Sequence, residues 1–192
     1  MNENEISSMF DDSIKVISDS KKLIDKISSV ASLITECFQN GNKVVVFGNG
    51  GSAADSQHFA AEFIGRFQFE RKSLPSIALT TDTSILTALG NDYVFDDIFS
   101  RQCESLVAKN DIVIGISTSG NSLNIINGLI SSKNNGAKII GILGNDGGKI
   151  KEIVDIPIVI PSNSTPRIQE SHRLILHIIC DIVERNFVEK SN

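Results

Sequence analysis

Four side chains capable of acid–base chemistry or ligand binding are spaced to fit two helices. His58 and Glu62 are four residues apart, whereas Gln169 and His177 are eight apart near the other end of the chain. Residues four apart on a helix share one face, so His58 and Glu62 can act on a single ligand. A solvated surface pair is the alternative. Gln169 and His177 lie on the polar side of a later helical pattern, where they could complete a site built by other elements.

Two loops with the composition of phosphate-binding turns each follow an apolar run and precede a helical pattern. Gly48–Ser52 contains three glycines, which let backbone N–H groups approach a ligand closely. Ser117–Ser122 carries four hydroxyls in six residues, and hydroxyls at the start of a helix can bind phosphate oxygens. Helix capping alone would also explain serine and asparagine there. Two such turns in one sheet favour a phosphorylated small molecule.

A dinucleotide is the competing ligand for the first loop. Gly48, Gly50 and Ala53 match the spacing of a dinucleotide-binding turn, but that motif needs an acidic residue about 20 positions further on. The nearest acid after a second strand is Asp82, roughly thirty residues on. The chain also lacks the G-x-x-x-x-G-K-[ST] pattern of nucleoside triphosphatases. A sugar phosphate therefore explains the serine-rich loop better than a nicotinamide cofactor does.

The elements that must position these loops alternate along the chain. A helical segment covers about residues 6–40, as one long helix or as two with a break near Ser18–Ser20. Five short β-branched runs then predict buried strands at Lys43–Phe47, Ser76–Thr80, Asp111–Ile116, Lys138–Leu143 and Ile156–Ile160. Helical patterns follow them at Ala53–Phe67, Asp96–Val107, Ser122–Asn134, near Lys149–Val154, and at Arg167–Val188.

This alternation predicts an α/β fold with a parallel five-stranded sheet flanked by helices on both faces. With 192 residues, 41% of them hydrophobic, the chain fits one domain over residues 1–192, with its α/β core at about 41–192. In such sheets ligands bind beyond the carboxyl ends of the strands. Both candidate loops have that position.

Composition excludes several classes of function. The net charge of −5 without a basic cluster argues against nucleic acid. The apolar stretches are interrupted well before the roughly 18 residues that cross a bilayer, and the N-terminus is polar, so we expect no membrane association and a cytoplasmic protein. Cys37, Cys103 and Cys180 form no CxxC pair, and we expect them to be buried free thiols.

Several longer motifs occur in a fixed order: GNGGSAADSQHFAAE, RKSLPSIALTTDTS, GNDYVFDDIFSRQ, GISTSGNS, and RIQESH followed by His177. By these motifs the chain resembles the sugar isomerase (SIS) family, and within it the members that isomerise sedoheptulose 7-phosphate. The resemblance covers nearly the whole chain. It implies a single SIS-type domain and an aldose–ketose isomerase that makes D-glycero-D-manno-heptose 7-phosphate through an enediol. The product would serve bacterial heptose biosynthesis, for lipopolysaccharide or capsule.

The resemblance also implies roles for individual residues. Glu62 and His177 match the catalytic pair. The implied substrate contacts are Asn49, Gly50, Gly51, Ser52, Glu62, Asn91, Asp92, Ser117, Thr118, Ser119, Ser122 and Gln169. The implied ligands of one zinc ion per subunit are His58, Glu62, Gln169 and His177. Members of the family form homotetramers with active sites shared between subunits, which would explain how the last helix reaches the first glycine loop.

A non-catalytic protein is the alternative within the same family. The SIS protein that associates with the bacterial replication initiator keeps the glycine loop and the Arg-Ile-Gln segment, but lacks the glutamate and the second histidine. This chain has both Glu62 and His177. The expectation is therefore an enzyme, with a sugar-phosphate sensor or partner-binding protein as the runner-up.

Overall fold

The structure, a computed structural model, describes residues 2–188 and begins with two consecutive helices. Helix α1 spans Glu3–Asp19 and α2 spans Ile24–Gln39, joined by a 3₁₀ turn at Ser20–Leu23. Asn2 caps α1, because its side chain accepts a hydrogen bond from the Glu5 N–H. The long N-terminal helical segment is confirmed, in its two-helix form.

Five strands form one sheet in which every neighbouring pair is parallel. They are β1 (Val44–Gly48), β2 (Ser76–Ala78), β3 (Ile112–Ser117), β4 (Lys138–Leu143) and β5 (Ile156–Val159), in the spatial order β2-β1-β3-β4-β5. The predicted parallel five-stranded sheet is confirmed. The chain moves outward from β1 to β2 and then crosses back to β3, so the direction of winding reverses between β1 and β3. This reversal opens a crevice at their carboxyl ends.

The remaining helices cover both faces of the sheet. They are α3 (Gly51–Ile64), α4 (Thr83–Asp92), α5 (Ser100–Leu106), α6 (Leu123–Asn134), α7 (Ile150–Ile153) and α8 (Thr165–Glu184). Side chains along a strand alternate between faces. Val46 accordingly joins the core cluster under α2, α3 and α8, whereas Phe47 joins the cluster under α5, α6 and α7. The predicted flanking on both faces is confirmed.

The segment between β2 and β3 differs from the prediction. The single helix expected at Asp96–Val107 is a 3₁₀ turn at Phe95–Asp97 followed by α5, and α4 was not predicted at all. Helix α4 buries no residue fully, so it has no continuous apolar stripe to signal it. Its start was nonetheless readable from Asp82, whose carboxylate accepts a hydrogen bond from the Ile85 N–H. Within residues 2–188, none of the helices is long and apolar enough to cross a membrane.

Candidate active site

The first glycine loop lies against α8. Gly50 has a positive φ of 55° and caps the start of α3. A Cβ on Gly51 would lie 2.5 Å from Nε2 of Gln169, so only glycine lets this amide approach the loop. The predicted contact residues Gly50, Gly51 and Gln169 are thus brought together.

The serine-rich loop forms a small polar recess before α6. Ser117 Oγ lies 3.5 Å from Ser119 Oγ and 3.4 Å from Ser122 Oγ, and it accepts a hydrogen bond from the Gly120 N–H at 3.1 Å. The recess has a volume of about 60 Å³ and is lined by Asn49, Ser52, Ile116, Ser117, Thr118, Ser122, Ile125 and Gln169. Clustered hydroxyls at a helix N-terminus suit an anion such as phosphate.

A partly buried amide pair joins Asn49 of the glycine loop to Asn124 in the first turn of α6, and Asn124 had no role in the sequence analysis. Each of Asn49 and Asn124 donates from Nδ2 to the other's Oδ1 at 2.9 Å, and Asn124 Oδ1 also accepts from the Ile125 N–H. Asn124 is 2% exposed. Its signal in the sequence was a polar residue among apolar ones in the first turn of a predicted helix. The pair orients Asn49 toward the recess.

Helices α3 and α8 lie side by side and meet through three successive pairs. The pairs are Gly51 with Gln169, Asp55 with Arg173, and His58 with His177. Because residue numbers rise together in both members, the two helices run in the same direction. We refer to this line of pairs as the α3–α8 seam. It brings the polar face of the last helix to the glycine loop within one chain, so this approach does not require the subunit sharing that the resemblance suggested.

The middle pair of the seam is an ion pair. Arg173 donates to Asp55 Oδ1 from Nε at 3.0 Å and from Nη2 at 2.5 Å. The Asp55 side chain is buried, whereas the Arg173 side chain is half exposed toward a cavity. Neither residue had an assigned role in the sequence analysis. Asp55 lies one turn before His58, which was the available signal.

The predicted catalytic residues converge on one nitrogen of His58. His58 Nε2 lies 2.8 Å from His177 Nε2 and 3.3 Å from Glu62 Oε1. Burial lowers the pKa of His177 below its ordinary value of 6.5, and the charge of His58 lowers it further. His177 is therefore neutral near pH 7, and in that form it can either accept or donate a proton.

The same atoms provide a donor set that suits zinc. Two imidazole nitrogens and a carboxylate oxygen are common zinc ligands. Nitrogens bound to one tetrahedral zinc ion lie about 3.3 Å apart, so the two rings would need to separate by about half an ångström. Consistent with this, no three His, Cys, Asp or Glu side chains in residues 2–188 are spaced as a metal site as they stand. His58, Glu62 and His177 fit the ion chemistry after a small ring movement, whereas Gln169 lies about two turns earlier on α8, against Gly51, and is not brought to the same point.

A larger cavity of about 630 Å³ adjoins the seam. It is lined by Gly51, Ala54, Asp55, Pro166, Gln169, Glu170, Arg173, Leu174 and His177. Gln169 also lines the small serine recess and so lies between the two spaces. A ligand with a phosphate at one end in the recess could therefore extend past Gln169 toward His177.

Five predicted contact residues line neither space: Gly50, Glu62 and Ser119, which adjoin Gly51, His58 and Ser117 respectively, and Asn91 and Asp92. Asn91 and Asp92 lie exposed at the end of α4, where Asn91 Nδ2 donates to Asp92 Oδ1 at 2.8 Å. Neither lines the cavity or the recess. Their contact with substrate stays a prediction.

Outside the site, His172 and the three cysteines are buried. His172 is fully buried, with Nε2 3.0 Å from the Leu143 carbonyl oxygen. Cys37, Cys103 and Cys180 are buried free thiols, as predicted. Burial raises the pKa of Cys37 and of Cys103 to about 11, which makes both thiols poor nucleophiles.

Known proteins resemble the chain both in sequence and in overall fold. Residues 9–144 match the SIS domain family model. A phosphoheptose isomerase of Geobacter sp. strain M21 is 56% identical over 171 residues, 89% of each chain. Phosphoheptose isomerase from Neisseria gonorrhoeae superposes with a TM-score of 0.90 at 41% identity, covering 95% of this chain and 98% of that one. The Francisella tularensis phosphoheptose isomerase gives 0.93 at 36% identity, covering 96% and 100%.

Proposed function

The chain belongs to the phosphoheptose isomerases of the SIS-domain family, and we propose that it converts sedoheptulose 7-phosphate to D-glycero-D-manno-heptose 7-phosphate. The observation that carries the proposal is the position of Glu62 and His177. Both approach one nitrogen of His58, and His177 lines a cavity that meets the serine recess at Gln169. An acid–base pair at one end and an anion site at the other suit a sugar phosphate.

The reaction moves protons between two carbons and their oxygens. Glu62 removes the proton from C1, the C1–H electrons form the C1=C2 bond, and the carbonyl oxygen at C2 takes up a proton. A proton then returns to C2 while the hydroxyl at C1 loses its proton and becomes the aldehyde. His177, neutral near pH 7, handles the oxygen-bound proton. A positioned acid or base of this kind contributes about 10²- to 10⁴-fold to the rate.

The serine recess would hold the C7 phosphate. Ser117, Ser119 and Ser122 offer hydroxyls at the start of α6, away from the reacting carbons. Binding energy at a remote group can orient the reacting end, so losing a hydroxyl affects turnover as well as affinity. Ser119→Ala should therefore lower kcat as well as raise KM. If neither changed, Ser119 would have no part in phosphate binding.

We further propose one zinc ion per subunit, held by His58, Glu62, His177 and, as the resemblance implies, Gln169; in the zinc-bound form Glu62 and His177 would not act as a simple base and acid. A bound zinc ion supplies Lewis-acid polarisation of substrate oxygens. Metal analysis of the purified protein, with activity measured before and after chelation, tests this. Full activity in metal-free protein would assign Glu62 and His177 to direct proton transfer. Loss of activity that zinc restores would support their role as ligands.

The proposal includes a cytoplasmic homotetramer that supplies heptose for lipopolysaccharide or capsule, with active sites at subunit interfaces. Large apolar side chains are exposed along α1 and along α8, at Ile6, Met9, Phe10 and Ile14, and at Leu174, Ile178 and Ile182. Exposed apolar faces of this size favour association between copies. Buried unpaired thiols favour a reducing compartment. Light scattering coupled to size-exclusion chromatography would measure the number of subunits.

The deciding experiment is incubation with sedoheptulose 7-phosphate in D₂O, followed by NMR. The wild-type protein should yield the aldose and exchange hydrogen at the reacting carbons with solvent, whereas Glu62→Gln should do neither. A protein that binds the sugar phosphate without exchange or product would be a sensor, and the isomerase proposal would be wrong.

A further inference from the structure

An acidic and a basic side chain are buried together at the far end of the α3–α8 seam. The side chains of Arg71 and Glu184 are 0% and 1% exposed, and Arg71 Nε lies 3.4 Å from Glu184 Oε1. Removing two charges from water is costly, and a buried ion pair gives little net stability by itself. The hydrogen bonds that the two groups make elsewhere show what they hold in place.

Arg71 binds the end of the helix that carries Glu62. Its Nη2 donates to the Glu62 carbonyl oxygen at 2.7 Å, and its Nη1 donates to the carbonyl oxygens of Phe63, Gly65 and Lys72 at 2.7, 3.1 and 3.0 Å. The last carbonyls of a helix have no partner within the helix. A planar guanidinium can satisfy several of them at once, which an ammonium on a flexible stem cannot do in fixed geometry. Arg71 thereby fixes the backbone of the turn that contains Glu62.

Glu184 binds the segment that follows α3. Its carboxylate accepts hydrogen bonds from three consecutive N–H groups, those of Phe67, Gln68 and Phe69, at 2.7, 2.6 and 3.0 Å. Burial alone would raise the pKa of Glu184, but these bonds and the charge of Arg71 lower it overall. The carboxylate therefore stays ionised at neutral pH. We refer to residues 65–73, which it holds, as the strap.

The strap covers the second member of the catalytic pair. The rings of Phe67 and His177 lie with their centroids 5.6 Å apart at an angle of 42°. Phe67 is also the first residue whose N–H binds Glu184. The same ion pair therefore fixes the backbone of Glu62 and the aromatic ring that packs on His177.

We propose that Arg71 and Glu184 are positioning residues for the isomerisation, which act by setting the geometry of Glu62 relative to His177. The inference rests on the proposed function. Neither residue lines the cavity or the serine recess, so neither is placed to contact a sugar bound in those spaces. Their effect on the reaction passes through the last turn of α3 and through Phe67.

A second buried carboxylate, paired with a partly exposed lysine, provides a matched control. Asp111 is 1% exposed, pairs with Lys43 Nζ at 2.5 Å, and accepts the N–H groups of Lys43 and Ala108 at 3.1 and 2.8 Å. It immediately precedes β3, at the amino ends of the strands, and the loops that form the site follow the carboxyl ends. Glu184→Gln and Asp111→Asn thus make the same chemical change at equally buried carboxylates that bind backbone N–H groups.

The test compares the two variants by steady-state kinetics, thermal unfolding and hydrogen–deuterium exchange. Both should lower Tm. We expect Glu184→Gln to lower kcat about tenfold or more with KM within about twofold, since misplacing reacting groups by about 1 Å can cost about 10²-fold. Asp111→Asn should leave kcat within about twofold at a temperature where both variants are folded. Amide exchange in residues 62–69 should accelerate in Glu184→Gln only.

Unchanged exchange in residues 62–69 would overturn the proposal, as would a kcat within twofold of wild type or a loss of kcat that Asp111→Asn matches. If Glu184→Gln does not fold, Arg71→Lys replaces it, because lysine keeps the charge but lacks the planar guanidinium that binds several carbonyl oxygens. The same kinetic and exchange measurements then test the proposal. A wild-type protein without isomerase activity would refute the proposed function instead. Faster exchange in residues 62–69 would then still establish that Glu184 holds the strap.

Discussion

The two ends of the α3–α8 seam use charged and polar groups in opposite ways. At the site end, His58 and His177 face each other across 2.8 Å, and the His58 side chain remains 41% exposed. At the strap end, Arg71 and Glu184 have lost nearly all contact with solvent and bind mainly backbone groups. The two ends therefore differ in exposure: the end at the proposed site is open to solvent, and the strap end is closed to it.

The contrast shows how side chains at a site can stay free to bind a ligand while the backbone around them is held in place. Groups that bind substrate or move protons must keep free donors and acceptors. The backbone that carries them is fixed instead by groups one or two turns away, which make their hydrogen bonds to the protein. Substitutions at the site end should then affect turnover, and substitutions at the strap end should affect stability most.

The largest effect should come from Glu62→Gln, which removes the proposed base and keeps the shape. We expect kcat to fall about 10²- to 10⁴-fold, with the free energy of unfolding changed by less than about 0.5 kcal/mol. Glu104→Gln, at an exposed carboxylate on α5, is the control and should leave both unchanged. If Glu62→Gln kept more than about a tenth of wild-type activity, Glu62 would not be the base, and the site end would not be where turnover is determined.

Arg71→Met should produce the largest loss of stability. It leaves the buried Glu184 carboxylate without its counter-ion and several α3 carbonyls without a donor, which should cost about 3–5 kcal/mol in urea unfolding. Arg66→Met is the comparison, because Arg66 lies in the same strap but pairs with Glu70 in solvent. That variant should lose less than about 1 kcal/mol. Equal losses of unfolding free energy in Arg71→Met and Arg66→Met would show that the buried pair contributes no more to stability than the exposed one.

Arg173→Met tests the middle of the seam. The change leaves the buried Asp55 carboxylate without its partner, but the half-exposed site of Arg173 lets water replace part of the interaction. We expect a loss of about 1–2 kcal/mol in the free energy of unfolding. Arg185→Met, at an exposed pair with Asp181, should lose less. A loss as large as that of Arg71→Met would show that the pair of Asp55 and Arg173 stabilises the fold as much as the fully buried pair does.

The smallest effect is a pH dependence at the strap end. The pKa of Glu184 is lowered by folding from its ordinary value of 4.5, so its stabilisation is present above about pH 4.5 and is lost as the pH falls through the folded value. The difference in unfolding free energy between wild type and Glu184→Gln should therefore shrink in acid. Urea titrations at pH 7 and below pH 4.5 measure it. A difference that stays constant would mean that Glu184 is not held as a carboxylate.

Most of the fold could be predicted because its signals are local. The run Lys138–Leu143 is apolar, short and β-branched, and it is a strand with those bounds. Helix α4 was missed because its side chains pack only partly, so periodicity does not mark it. Its neighbour α5 was predicted to begin at Asp96, because the apolar residues Ile98 and Phe99 continue the helical pattern back toward a 3₁₀ turn.

The site could be predicted only where its residues are near in sequence or where longer motifs carry a resemblance. His58 and Glu62 share a helix face by spacing alone. The contact of His58 with His177 depends on how α3 and α8 pack, which spacing does not encode. Arg71 and Glu184 were missed for another reason. In a sequence, a buried charged residue looks the same as a solvated one.

The contact between His58 and His177 joins residues 119 positions apart, and it has a consequence for synthesis. A chain leaving the ribosome can pair its five strands before α8 has emerged, because all of them precede Thr165. His58 and His177 meet only when that helix docks on α3. Because α8 is synthesised last, a newly made chain brings these two side chains together only after its C-terminal helix has left the ribosome.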